Sequence, residues 1–488
     1  MSTYSIFILI SFLFGFSSGI EEGATMAAYD TIVVGLGAAG ATAAGTLARG
    51  GRRVLALEAA ARAGGRVRTE RCGDGVVELG AEWIHGQFPS RVYDLAIQNN
   101  VTVRPQDLTF DIYRSDGART DCELLNELMM YCLDVMEGLS DKPESLGDLI
   151  TRKLKEYLQK NRPEVLKNQE FVDNFLDFMN LVVNNYEASN DWKDVSALSA
   201  YEELRGHQHM SWHKHGYKTF FEILLNTYNN GPGLPTLDIK FNTEVTNIRW
   251  PRDGTGDVVV TCRGGEQYTA PNVIVTVSLG VLKERHTSLF SPGLPSEKIN
   301  AIQTISIGVM DKIIVTFHEN WWPPNIAFFG FVWRGMERGR VGRDDYWMTR
   351  IFGASVPMGT DKTLTLWTSG EIAKVIETLP EDVVKRKVVE LLQMFMGANV
   401  TVPQPTGMMR STWYTNPFTR GSYTYDNLLM PQHPHIRETL ASPLLDTAGT
   451  PRVLFAGEAT DNTHFSTVHG ASDSGYREAV RLLPASKI

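Results

Sequence analysis

Thr31-Ile32-Val33-Val34-Gly35-Leu36-Gly37-Ala38-Ala39-Gly40, continued by Val54-Leu55-Ala56-Leu57-Glu58, is the stretch on which the fold turns. Asp30 to Val34 reads as a short, fully buried strand running straight into Gly35. The small-residue-rich segment Ala38 to Arg49 reads as a helix, and Val54 to Leu57 as a second buried strand, which together make a βαβ opening. In that context Gly35 permits the tight turn, Gly37 lets the backbone approach a pyrophosphate, and Gly40 lets helix and strand pack closely. The helix N-terminus then offers free N–H groups and a positive dipole end to phosphates. Glu58 closes the second strand about twenty residues on, where a carboxylate accepts from ribose hydroxyls. The chemistry implied is dinucleotide binding. NAD and FAD are not separated by these residues alone.

Working outward, 488 residues are too many for one ordinary core. Hydrophobic residues at 43% and charged residues at 21% exclude a disordered or membrane-embedded class. A net charge of −9 argues against nucleic acid as a partner and weakly favours the approach of a cation. The four cysteines, Cys72, Cys122, Cys132 and Cys262, contain no Cys-x-x-Cys pair, so a zinc ribbon or dithiol redox site is not expected. One disulfide is compatible with them.

Strand, helix and turn signals change along the chain in blocks. After the βαβ opening, a helix near Val92–Gln98 and alternation near Thr109–Tyr113 lead into helical stripes from Glu123 to Asn229. Phe171, Phe175, Phe178, Met179 and Val182 form one such stripe, read as packing surface. Strands return at Thr243–Trp250, Val258–Cys262 and Val273–Val277, and a strand-rich stretch covers Ile305–Trp367. A helix follows near Pro380–Met396, then a buried strand Val453–Ala456 and a closing helix Ala471–Leu483. Nucleotide-type segments thus recur at the start, middle and end. We read an α/β chain with a discontinuous Rossmann-type cofactor domain (29–88, 236–290 and 446–488) and an inserted α+β substrate domain. The inserted domain is helix-rich over 89–235 and strand-rich over 291–445.

Further motifs narrow the cofactor. Gly64-Gly65-Arg66-Val67-Arg68-Thr69 can clamp a pyrophosphate already seated on the helix. With Glu78-Leu79-Gly80-Ala81-Glu82-Trp83-Ile84-His85-Gly86, Val277-Ser278-Leu279-Gly280-Val281-Leu282-Lys283, Gly421-Ser422-Tyr423, Phe455-Ala456-Gly457-Glu458-Ala459-Thr460 and Ser466-Thr467-Val468-His469-Gly470-Ala471, the chain resembles the flavin-containing amine oxidases. The resemblance is to the branch that oxidises polyamines, and it runs from about Tyr29 to Leu483. It implies the two-domain amine oxidase fold, FAD as cofactor, O2 as electron acceptor and a polyamine substrate. The alternatives within and beyond the family are a monoamine oxidase, an L-amino-acid oxidase, the histone-demethylase relative, and a flavin-binding protein without turnover.

Residue by residue, the resemblance places Ala39, Gly65, Arg66, Gly80, Ala81, Glu82, Trp83, Val245, Trp413, Gly457, Glu458, Thr467 and Val468 with Gly35, Gly37, Gly40 and Glu58 around FAD. It places Lys312, His85, Tyr423 and Thr467 at the reacting end, and Glu82, His85, Glu202 and Tyr423 against the substrate. No cysteine follows Cys262, so FAD is expected to be held without a covalent bond. His207, His209, His213 and His215 are closely spaced, but no metal is expected. Arg334, Arg338, Arg340 and Arg343 read as a solvated loop.

The apolar run Ile6–Phe16, followed by Ser17-Ser18-Gly19, reads as a signal peptide over 1–19 and points to the secretory route, with no integral membrane anchor. Asn100-Val101-Thr102 and Asn399-Val400-Thr401 are acceptor sites for glycosylation on that route. The competing reading starts at Met26 and gives a cytoplasmic or peroxisomal protein, because Ser486-Lys487-Ile488 is a poor relative of Ser-Lys-Leu. Nothing in the sequence sets an oligomeric state.

Overall fold

The structure is a computed structural model describing residues 29–485 except 118–121, 139 and 141; the side chain of Cys122 is also outside the description. The segment 1–28 and the terminal 486–488, on which the targeting readings rest, therefore lie outside the described residues.

The glycine-turn stretch builds the centre of a sheet of six strands. Their order is Leu444–Leu445, Pro451–Phe455, Val273–Val275, Thr31–Val34, Val54–Leu57 and Leu237–Lys240. All neighbours are parallel except the edge pair Leu444–Leu445 and Pro451–Phe455. Alternation along the strands sends Val33, Ala56, Ile274 and Leu454 to one face, where the helices Ala38–Arg49 and Val468–Leu482 cover them. Ile32, Val34, Leu55, Leu57, Val275 and Phe455 go to the other, against the smaller sheet of Gln267–Ala270, Val258–Cys262, Val245–Arg249 and Phe290–Ser291. A parallel sheet covered on both faces needs apolar side chains at every position, which is why these strands read as continuous apolar runs. The strand Leu237–Lys240, with its exposed Asp238 and Lys240, gave no such signal because it lies at the edge.

The second large sheet runs Gly407–Arg410, Met310–Thr316, Thr363–Ser369, Ile351–Ser355, Phe328–Val332 and Phe110–Arg114. Its strands are antiparallel until the last, which pairs parallel to Phe328–Val332. One face packs on the helix Glu381–Met396 through Val384, Val388, Leu391 and Phe395. A helical layer, Cys122–Glu137, Leu146–Asn161 and Gln169–Glu187, forms a separate core with Leu128, Ile150, Phe175 and Met179. Ser145 and Asn168 start the last two helices by accepting from Asp148 N at 3.0 Å and Phe171 N at 3.2 Å.

Two local expectations change. A hairpin, Thr69–Cys72 with Gly75–Glu78, follows directly on the glycine-arginine clamp, in a stretch that the sequence left without secondary structure. Arg334 and Arg338 flank and enter a short helix, Gly335–Arg340, and are ion-paired rather than loosely solvated: Arg334 to Asp116 at 2.9 Å, Arg338 to Asp177 at 2.5 Å. Among the described residues no helix is long and apolar enough to cross a membrane.

Candidate active site

A cavity of about 1100 Å³ runs from the strand ends of the parallel sheet to the inner face of the second sheet. At its first end the turn after Thr31–Val34 places Gly35, Gly37 and Ala39 on the wall, beside Glu58, Gly65 and Arg66. Gly37 caps the helix Ala38–Arg49 with no side-chain hydrogen bond, and no acid occupies its first turn, so its N–H groups and positive end face open space. Gly40 does not line the cavity. A Cβ there would stand 2.0 Å from the Gly35 carbonyl oxygen, so its role is the close approach of helix to turn.

The acids at this end are held by the backbone. Glu58 accepts from Leu36 N at 2.7 Å and Ala60 N at 2.8 Å; burial raises its pKa and these bonds oppose the rise. Glu458 accepts from Arg66 at 2.8 Å, Thr424 Oγ1 at 2.7 Å and Ser466 N at 3.0 Å. Burial pushes the Glu458 carboxyl up, but Arg66 and the Thr424 hydroxyl outweigh it and hold it below its ordinary value. At the second helix end, Thr467 caps Val468–Leu482: its hydroxyl accepts from Gly470 N at 3.0 Å and donates to His464 O at 2.7 Å. No acid lies in that first turn either, so two uncompensated helix N-termini face one cavity. A phosphate cradle, a ribose acceptor and a second positive helix end in one channel are a donor set that fits FAD. The remaining cofactor residues expected from sequence, Gly80, Ala81, Glu82, Trp83, Val245, Trp413, Gly457 and Val468, all line the same channel.

Deeper in, Lys312 and Trp367 sit opposite each other across the strands Met310–Thr316 and Thr363–Ser369. The Lys312 ammonium donates to Glu82 Oε2 at 2.7 Å and to the Glu78 carbonyl oxygen at 3.0 Å, and the side chain is 1% exposed. His85 Nδ1 lies 2.8 Å from Gln208 O. A carbonyl only accepts, so Nδ1 carries the proton and Nε2 is left as a free acceptor. Burial lowers the His85 pKa and keeps the ring neutral. Tyr423 donates its hydroxyl to Asn185 O at 2.7 Å, which ties the wall of the cavity to the end of the helix Gln169–Glu187.

Glu202, expected against the substrate, is exposed and lies off the cavity wall; its side of the loop is replaced there by Tyr201 and Glu203. Two of the four closely spaced histidines, His207 and His209, join the wall, while His213 and His215 sit in a separate turn. Among the described residues no three His, Cys, Asp or Glu side chains are arranged to hold a metal ion.

Several wall residues had no sequence signal. Asp134, Glu137, Glu187 and Glu203 line the arm beyond Tyr423; Glu187 is half-buried, the other three are exposed at its mouth, and among the described residues none of the four is ion-paired. Burial, and then Asp426, push Glu187 up to about 7. Phe178 and Val182, read as packing, also face the cavity. A helix stripe tells which side is apolar, not whether the opposite wall is protein or a channel.

The geometry has a counterpart among known proteins. The sequence profile described as flavin containing amine oxidoreductase matches residues 38–483. The chain is 32% identical to the Homo sapiens peroxisomal N(1)-acetyl-spermine/spermidine oxidase over 496 residues, covering 93% of this chain and 94% of that one. It is 29% identical to the lysine-specific histone demethylase 1 homolog 2 of Oryza sativa subsp. japonica, covering 94% of this chain and 58% of that one. A solved putrescine oxidase, a double mutant redesigned in its cofactor binding, superimposes with a TM-score of 0.67 at 16% identity, covering 93% of this chain and 98% of that one. This chain belongs to the flavin-containing amine oxidase family and has the amine oxidase fold. The family's cofactor is FAD, and its substrate class is an amine.

Proposed function

We propose that this protein is a polyamine oxidase, acting on spermine, spermidine or their N-acetylated forms, with FAD bound non-covalently. The observation that carries the reading is the distribution of charge along the cavity. The wall arginines, Arg62, Arg66 and Arg285, stand at the phosphate end, and Lys312 is spent on Glu82. Beyond Tyr423 the charged wall groups among the described residues are carboxylates that form no ion pair: Asp134, Glu137, Glu187 and Glu203. A chain of methylenes carrying several ammonium groups complements such an arm. One charge pair at 4 Å is worth about 4 kcal/mol at an effective dielectric of 20. A monoamine or an amino acid would leave the arm unused.

FAD, when bound, would supply a two-electron acceptor for hydride from the carbon beside the amine nitrogen and pass the electrons to O2 as H2O2, and one water would hydrolyse the resulting iminium to an aminoaldehyde and a shorter amine. The chain's own residues prepare the amine. His85, kept neutral, presents Nε2 as an acceptor that can orient the neutral amine through its N–H. Tyr423 and Trp83 exclude water from that nitrogen and favour its neutral form. Glu187 and Glu203 hold the distal ammonium groups and set how far along the chain the reacting carbon lies.

The test is anaerobic bleaching of the yellow protein with spermine, spermidine, their acetylated forms, monoamines, L-amino acids and a peptide carrying methylated lysine. Fast bleaching by polyamines is expected. Bleaching confined to any of the other substrates would reject the reading, and absence of bleaching by all of them would reject turnover. Denaturation should release free FAD. Lys312→Met should slow bleaching at least about tenfold while the protein stays yellow.

We also propose entry to the secretory route, supported by the exposure of Asn100 and Asn399. N-terminal sequencing and a glycosidase mobility shift of the exported protein test it; an untouched N-terminus would favour the cytoplasmic or peroxisomal form.

A further inference from the structure

We propose that Trp367 is a positioning residue of the site: its indole face, aligned by Trp83, fixes the Lys312 ammonium at one point of the cavity wall. The two hydrogen bonds of that ammonium both go to one short segment, at Glu78 O and Glu82 Oε2. They restrain the ammonium from one side only, and lysine carries a flexible four-carbon stem. Two aromatic faces lie beside the same ammonium. Lys312 Nζ lies 4.5 Å from the centroid of Trp367 and 6.0 Å from that of Trp83. The two indoles are stacked, with centroids 5.7 Å apart and planes 12° from parallel.

Their tethers explain why the stack does not rotate. Trp367 Nε1 donates to Ser355 Oγ at 2.8 Å. Trp83 Nε1 donates to Gln106 Oε1 at 2.7 Å, and Gln106 Nε2 in turn donates to Val356 O at 2.9 Å. Both lines of hydrogen bonds end on adjacent residues, Ser355 and Val356, where the strand Ile351–Ser355 finishes. One strand end therefore orients both rings, and the rings orient the ammonium. Indole is the strongest of the aromatic faces for a cation, and the interaction gains when water is excluded.

The inference rests on amine oxidation taking place beside Lys312, but not on the polyamine arm. The first measurement needs no turnover. The FAD-loaded protein is treated with formaldehyde and a mild borane reductant, and methylation of Lys312 is followed by peptide mass spectrometry. Lys312 should stay protected in the parent and in Trp367→Phe, and become at least about tenfold more reactive in Trp367→Leu. Ser355→Ala, which unties the indole without opening a cavity, should move the same way by less. The second measurement uses whichever amine bleaches the protein. Trp367→Leu should slow bleaching about tenfold with KM unchanged, Trp367→Phe should restore most of the rate, and adding Trp367→Leu to Lys312→Met should cost nothing more. Unchanged protection of Lys312 in both Trp367→Leu and Ser355→Ala would overturn the proposal, as would losses from Trp367→Leu and Lys312→Met that multiply. Failure of every amine to bleach any variant would instead sink the amine oxidase reading, and the methylation pattern would still decide the clamp.

Discussion

Glu187 joins pH to substrate binding. Lying at the end of its helix beside Asp426, it is pushed up to about 7, by burial first and by that neighbour second. Below that value it is neutral and offers a distal ammonium no charge; above it, it is a carboxylate. A primary ammonium titrates near 10.4 and stays cationic throughout, so KM for a polyamine should climb as pH falls through about 7. Glu187→Gln should raise KM about tenfold at pH 8, change kcat little, and flatten the acid limb. Steady-state peroxide release across pH checks this, and an unaltered limb would remove Glu187 from binding. Of the residues at the reacting end, Lys312, His85 and Tyr423 were legible because they stand in runs resembling a known family. Glu187, Glu203 and Trp367 were not. Each is an ordinary residue in its own segment, and only the convergence of distant segments gives it a task.

Among the elements, the turn between the first strand and helix has the least tolerance. A Cβ at Gly40 would meet the Gly35 carbonyl oxygen at 2.0 Å, and that oxygen belongs to backbone with φ +92 at Gly35, which cannot swing aside. Gly40→Ala should therefore cost roughly 1–3 kcal/mol and displace the N–H groups that cradle phosphate. Thermal melting with and without added FAD reads both effects. Retention of the parent's melting temperature and visible absorbance would show that the turn accommodates the methyl group. This glycine was readable from spacing alone, since strand, turn and helix are local and their steric demands fall within a few residues. The helix Glu381–Met396 was equally local, with Val384, Val388, Leu391 and Phe395 on one face. The hairpin Thr69–Glu78 was hidden because its four-residue strands, Thr69-Glu70-Arg71-Cys72 and Gly75-Val76-Val77-Glu78, are too short to show an alternation that a sequence pattern can use.

Over the whole molecule, the cofactor channel lies between the two sheets, so FAD bound there would bridge them. The channel of about 1100 Å³ separates the parallel sheet from the second sheet, and its wall draws on residues from Val34 to Ala471. A ligand that binds only the folded chain at 100 times its dissociation constant stabilises it by about 2.7 kcal/mol. Stripping FAD should lower the melting temperature by several degrees, and adding it back should restore the value in proportion to the logarithm of its concentration. A melting temperature indifferent to FAD would mean that the channel is not the cofactor site. The net charge of −9 gives no guide to this arrangement. What would matter for a cation is that arginines line one end of the channel, while the acids at the other form no ion pair among the described residues.

From the sequence alone followed the βαβ opening, the glycine turn, the acid at Glu58 and the resemblance carried by separate motifs along the chain. These are local demands of backbone sterics and hydrogen bonding, written into neighbouring residues. Only the tertiary structure decided that Glu202 lies off the cavity wall while Glu187 and Glu203 line it, that Thr467 caps a helix, and that two stacked indoles tethered to Ser355 and Val356 lie beside the Lys312 ammonium. The physical reason is that a cavity wall is assembled from segments hundreds of residues apart, and no periodicity within any one of them records which neighbour it will meet.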